Sequence, residues 1–209
     1  MMNTGLNQKL YLPNYRNVFT FFCLLFLFVL PLSKLGAQSD RLQEAIKKSF
    51  WELNQVRQSP ALYAAKYKLP ALKRIPKIYA LTWDTTLARL AQQKAEDMAN
   101  RNYFSHQDKK GRGMNYYLWR ANYPLPAHFS KKASDNGVES IVANTEGPDG
   151  FIQQLIVDQG VRNLGHRKHL LGLEHFKENT HIGIGIAYNP KSVYKYYCSI
   201  LIAPRKENI

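Results

Sequence analysis

The sequence predicts an α+β layered domain, with helices first and a β-hairpin last. Residues 40–57 and 84–101 repeat apolar side chains at helical spacing. Residues 180–188 instead alternate apolar and small side chains with period two, and a turn and a second apolar run follow. A chain of 209 residues with 45% hydrophobic and 21% charged residues suffices for one good core and is too short for two ordinary domains. That composition excludes whole-chain disorder and collagen-like or coiled-coil arrays. No repeat of solenoid or propeller period is present.

The first 37 residues read as an address. Lys9 and Arg16 precede an apolar run from Val18 to Leu32, broken only by Thr20, and no acidic residue occurs before Asp40. Leu35-Gly36-Ala37 then supplies small residues before Gln38, as a signal-peptide cleavage site requires. The alternative is an uncleaved membrane anchor. Fifteen residues at about 1.5 Å each fall short of a hydrocarbon core of roughly 30 Å, which favours cleavage. Cleavage leaves 38–209 as a single domain. Cys23 leaves with the leader and Cys198 remains, so no internal disulfide can form and the core alone must hold the fold.

The elements follow in order. Leu42, Ala45, Ile46, Phe50, Leu53 and Val56 make the first helix, with Asp40 and Gln43 as its start signal. Ser59-Pro60 opens a short helix over 60–67. Pro70 and Pro76 among several Lys and Arg make 68–82 a loop. Asp84 caps a helix whose stripe is Leu87, Leu90, Ala91, Ala95, Met98 and Ala99. A polar turn at 107–113 leads to a shorter helix near 113–121, and 122–135 is irregular. Residues 137–143 are extended, Pro148 opens a helix to Gln159, and Gly165 precedes another over 166–172. Gly183, Gly185 and Ala187 alternate with Ile182, Ile184 and Ile186, so one face of this strand is flat and a second layer can approach closely. Asn189-Pro190-Lys191-Ser192 turns the chain into a return strand over 193–203.

The charge is strongly positive, 29 Lys+Arg against 15 Asp+Glu. Residues 38–80 carry nine basic and three acidic side chains, whereas 136–209 carry eight and seven. The surplus suits either a solvated surface or an anionic envelope polymer or membrane head group. Nucleic acid is not expected as a partner, because no basic–aromatic binding motif occurs.

Four stretches, in this order, resemble the CAP/SCP superfamily (cysteine-rich secretory proteins, antigen 5 and pathogenesis-related-one proteins). They are Leu81-Thr-Trp-Asp84 with the helix behind it, Asn102-Tyr-Phe-Ser-His106, Asn136-Gly-Val-Glu-Ser-Ile141, and Leu155 to Val161 running on to Gly165-His-Arg-Lys-His-Leu-Leu171. The last is most similar to the disulfide-free bacterial branch. The resemblance implies a three-layer α-β-α sandwich with a central cavity that carries two histidines and acidic residues and in some members holds a divalent metal. By motif, those positions are His106, Glu139 and His166. Val138 and Ser140 stand where the family has Gly and Asn. The family's second Glu has no clear match, and Asp158 is the nearby substitute.

Two imidazoles and a carboxylate can hold a divalent ion, zinc first, and leave a position for water. They can equally form a closed hydrogen-bonded network, with His106 at the end of its helix and Glu139 accepting from both rings. His169 is a weaker ligand candidate, better suited to the surface, and Arg167 is a support residue that either pairs with Asp158 or is solvated. Ser105 lacks a nucleophile's context, and Cys198 in its strand reads as a small buried hydrophobe. His128, His175 and His181 receive no role. Tyr116, Tyr117, Trp119 and Tyr123 either pack in the core or form a rim that stacks on sugar or lipid.

The leading expectation is a non-enzymatic, exported binding module, secreted or in the cell envelope (periplasm or surface). Its ligand would be a lipid, a glycan or an anionic envelope polymer. It would meet a membrane only if the leader is retained. The alternatives are a metal-dependent hydrolase of peptide or envelope polymer, and a basic structural protein of the envelope.

Overall fold

The computed structural model describes the backbone of residues 16–205 and the side chains of residues 36–205. All but the last two residues of the expected leader therefore lie outside the described side chains. The chain divides into two compact units, Met1–Arg41 and Leu42–Ile209. Helix α1 spans Arg16–Gln58, so Asp40 lies within a helix and is not the start signal its spacing suggested. No described helix is long and apolar enough to cross a membrane.

In the second unit, α2 (Pro60–Lys66) follows with Pro60 in its first turn, where a missing N–H costs nothing. A 3-10 turn over Pro70–Arg74 and a two-residue strand, β1 (Thr82–Trp83), occupy the segment read as loop. Strand β1 is too short to carry a period, and it exists only because Thr82 and Trp83 pair in parallel with His181 and Ile182. Helix α3 (Thr85–Asn100) begins where Asp84 accepts from the N–H groups of Thr86 and Leu87. It ends at Asn102, whose φ of 50° is left-handed, with the Tyr103 N–H turned back onto the Met98 carbonyl.

The remaining elements are α4 (Met114–Arg120), β2 (Glu139–Asn144), α5 (Phe151–Val157), α6 (Gly165–Leu170), β3 (His181–Tyr188) and β4 (Tyr196–Ala203). Helix α5 starts after Gly150, not at Pro148, and Asp158 ends it in the left-handed region at φ 54°. The sheet order is β1-β3-β4-β2. Strands β3 and β4 are an antiparallel hairpin, and β2 adds antiparallel to the outer side of β4.

The hairpin's alternation divides the core into two sides. Ile182, Ile184, Ile186, Cys198, Ile200 and Ile202 pack with α1 from Leu42 onward, α2, α5 and α6. Leu201 and Ala203 pack with α3 and α4, and Ala187 and Tyr197 with the end of α3. The result is an α-β-α sandwich. The flat strand face does what its glycines allow. A Cβ on Gly183 would lie 2.0 Å from the Ala88 nitrogen, and one on Gly185 2.2 Å from that of Gln92, so α3 lies directly on the β3 backbone.

Candidate functional site

Four residues from four places in the chain meet at one groove. His106 lies on the loop after α3, Glu139 begins β2, Asp158 ends α5 and His166 is the second residue of α6. The His106 Nδ1 is 3.0 Å from Glu139 Oε2, and the His166 Nδ1 is 2.7 Å from Asp158 Oδ1. An ionised carboxylate only accepts, so both Nδ1 atoms donate. The two rings face each other with centroids 6.4 Å apart and planes 32° apart.

Exposure separates the two kinds of group. The side chains of His106 and His166 are 42% and 26% exposed, whereas those of Glu139 and Asp158 are 0% and 1% exposed. The imidazoles therefore reach an incoming ligand and the carboxylates stand behind them. With Nδ1 committed, Nε2 is the nitrogen each ring offers, an orientation that a second layer of carboxylates typically imposes.

The sequence suggested that Glu139 accepts from both rings, but of the two it accepts from His106 alone. Its register opposite Leu201 brings its other oxygen, Oε1, 2.7 Å from the Ser199 hydroxyl, which donates to it. Asp158 holds His166 instead. The two are eight residues apart, and the chain returns because Asp158 and Leu164 (φ 52°) both adopt left-handed backbone. Asp158 Oδ2 also accepts from the Arg167 backbone N–H. The Arg167 guanidinium does not pair with Asp158. It donates to the carbonyls of Ile156 and Val157 at 2.7 and 2.6 Å, capping the exposed end of α5.

His106 does not cap α3, because the left-handed Asn102 ends that helix first. Its loop is held from below by Lys94, which donates to the His106 carbonyl at 3.2 Å. Lys94 is only 5% exposed, and burial lowers the pKa of its ammonium against the pull of Glu139, Asp97 and Asp108. Beyond His106 the turn closes on Asp108, which accepts from the Lys110 and Arg112 N–H groups, the Arg112 guanidinium and the Tyr117 hydroxyl. Burial alone would raise this carboxyl, but those donors hold it well below the usual carboxylate range. Asn136 completes the surroundings, its Nδ2 donating to the Glu139 carbonyl at 3.3 Å.

His169 is not a surface residue. It is 3% exposed, and its Nε2 donates to the Ile202 carbonyl while its Nδ1 accepts from the Ser140 hydroxyl at 2.8 Å. Burial lowers its pKa to about 4. It braces α6 against the sheet and has no nitrogen left for the groove. Cys198 is buried and burial pushes its thiol well above the ordinary range. Tyr123 is buried, and Tyr117 and Trp119 pack partly against the core.

Among the described residues, no three His, Cys, Asp or Glu side chains are grouped to hold a metal ion. The donor set is two imidazoles with one carboxylate behind each. It is not the three-ligand arrangement of His106, Glu139 and His166 expected from the motifs. Lys94 and Ser199 escaped the sequence reading. Lys94 did carry a signal, a lysine on the apolar stripe of α3, whereas Ser199 is marked only by strand pairing.

The fold is a sandwich in which two histidines line a surface groove with a buried acid behind each. The family model for the cysteine-rich secretory protein (CAP) family matches residues 52–201, and the chain belongs to that family. Among solved structures it resembles an outer surface protein from Borrelia burgdorferi, at 14% identity and TM-score 0.50, covering 78% of this chain and 94% of that one. It also matches an extracellular protein containing an SCP domain from Bacillus anthracis, at 20% identity and TM-score 0.46, over 80% of this chain. The match spans 43% of that protein's length. Comparison with curated proteins produced no match.

Proposed function

We propose that this protein is an exported binding module of the cell surface or envelope whose ligand enters the groove between His106 and His166. The observation that carries this reading is the pair of imidazoles, each turned outward by a buried carboxylate, across an open groove of about 530 Å³. The basic leader with its apolar run supports export, as does the likeness to a Borrelia outer surface protein. A nucleophilic serine has no support here. Ser105 Oγ accepts from the Gln107 N–H and makes no bond to His106.

The second reading is a metal-dependent hydrolase, favoured by the same two His–carboxylate pairs. His106 and His166 would hold a divalent cation, zinc first, through Nε2. Such an ion, when bound, supplies a water of lowered pKa. Elemental analysis of the purified protein beside the His106→Ala/His166→Ala variant tests both readings. Near-stoichiometric zinc in the unaltered protein alone, with metal-dependent turnover that both substitutions abolish, makes it a hydrolase. Ligand binding that needs the two histidines, without turnover, makes it a binding module.

A further inference from the structure

We propose that the groove takes a neutral glycan, with Phe104 as the stacking face for a sugar ring and Tyr194 as its support. This rests on the reading of the His106/His166 groove as a binding site and names what that site binds.

The first observation is an exposed aromatic pair in a place where exposure has a use. Phe104 is 43% and Tyr194 39% exposed, with ring centroids 5.6 Å apart and planes tilted by 58°. Phe104 is also a wall of the groove, together with Ser105, His106, Gln107, Ile141 and His166. Leaving such a ring in water forgoes the stabilisation that burial would bring. Aromatic rings with a wet edge suit binding surfaces.

The pair is also held in place. Tyr194 lies on the turn of the β3–β4 hairpin, some ninety residues from Phe104. That turn is tied to the chain leaving α3. The Val193 N–H donates to Asn102 Oδ1 at 2.9 Å, and Asn189 Nδ2 donates to the Ala99 carbonyl at 3.0 Å. The Tyr194 ring packs edge-on against Tyr197, which is fully buried. The ledge is therefore preformed, and a ligand bears little cost of ordering it.

The remaining lining selects the chemistry. None of the six wall residues is Lys, Arg, Asp or Glu. The buried carboxylates are already engaged, Glu139 with His106, Ser199 and the charge of Lys94, and Asp158 with His166 and the Arg167 backbone N–H. An anionic head group or polymer would find no ammonium or guanidinium among these six wall residues. An acyl chain needs an enclosed apolar sleeve, and this groove is open with Ser105, Gln107 and two imidazoles on its walls. A sugar ring has one flat C–H face and an edge of hydroxyls, which match the Phe104 ring and these polar groups.

The test is calorimetric titration with two neutral β-1,4-linked hexamers, one of glucose and one of N-acetylglucosamine. Vesicles of phosphatidylglycerol and phosphatidylcholine are assayed in parallel. The proteins are the unaltered chain, Phe104→Ala, Phe104→Trp and His106→Ala/His166→Ala, each checked for an unchanged unfolding midpoint. The expected result is that one hexamer binds, Phe104→Ala weakens it by about tenfold or more, as loss of a central aromatic contact does, and Phe104→Trp restores it. Failure of both hexamers to bind, or equal binding by Phe104→Ala, overturns the proposal. If vesicles bind instead and only the histidine variant loses them, the groove stands as a binding site and the glycan assignment falls. If a hexamer binds equally to every variant, both fall.

Discussion

Asp158 and Glu139 matter because they are acceptors that cannot reach a ligand. Each is buried behind an imidazole and fixes which nitrogen of that ring points outward. Asp158→Ala should leave the His166 ring free to rotate. On the metal-binding reading proposed above, zinc affinity, measured by competition with a chromogenic chelator, is then expected to fall about 10- to 100-fold, as it does when such partners of ligating histidines are removed. His169 makes a different prediction. Its pKa is lowered to about 4 in the folded protein, chiefly by burial, and is about 6.5 in the unfolded chain. Above that value both states are uncharged at this position. As pH falls from about 6.5 to 4 the unfolded state takes up the proton first, so stability is lost through that window, by up to about 3 kcal/mol. Urea unfolding at several pH values should show this slope, and His169→Gln should flatten it.

At the scale of elements, α3 lies on the β3 backbone with no room for a side chain at Gly183 or Gly185. A Cβ at Gly183 would meet backbone, not a side chain that can turn away. Gly183→Ala should therefore destabilise by about 3 kcal/mol or more, the upper end for overpacking, visible as a lowered urea midpoint. The start of the same helix depends on Asp84. Its Oδ1 accepts two backbone N–H groups and its Oδ2 accepts from Arg205 at 2.8 Å. Asp84→Ala should cost about 1–2 kcal/mol by the same measurement. Arg57 ties α1 to α6 and to the segment before β1 from inside. It is 1% exposed, donates to the Tyr79 and Leu170 carbonyls, and burial brings its pKa down to about 10. Helical periodicity marks 57 as the end of a helix and cannot say that its side chain goes inward.

At the scale of the whole molecule, the described core clusters draw only on residues from Leu42 onward. A protein beginning at Leu42 should fold by itself, with a cooperative unfolding transition close to that of the longer chain when both are followed by circular dichroism. By itself the sequence determined the order and type of the main elements, because helix stripes, the Asp84 cap and the Gly/Ile alternation are local and repeat over many residues. It also marked His106, Glu139 and His166 through their motifs. The tertiary structure decided which carboxylate serves which histidine, that His169 is buried, and that Thr82–Trp83 is a strand. It also decided that Phe104 and Tyr194 meet as an exposed pair. Each of these depends on strand register or on backbone reversals between distant segments, and neither the spacing nor the composition of one segment carries that information.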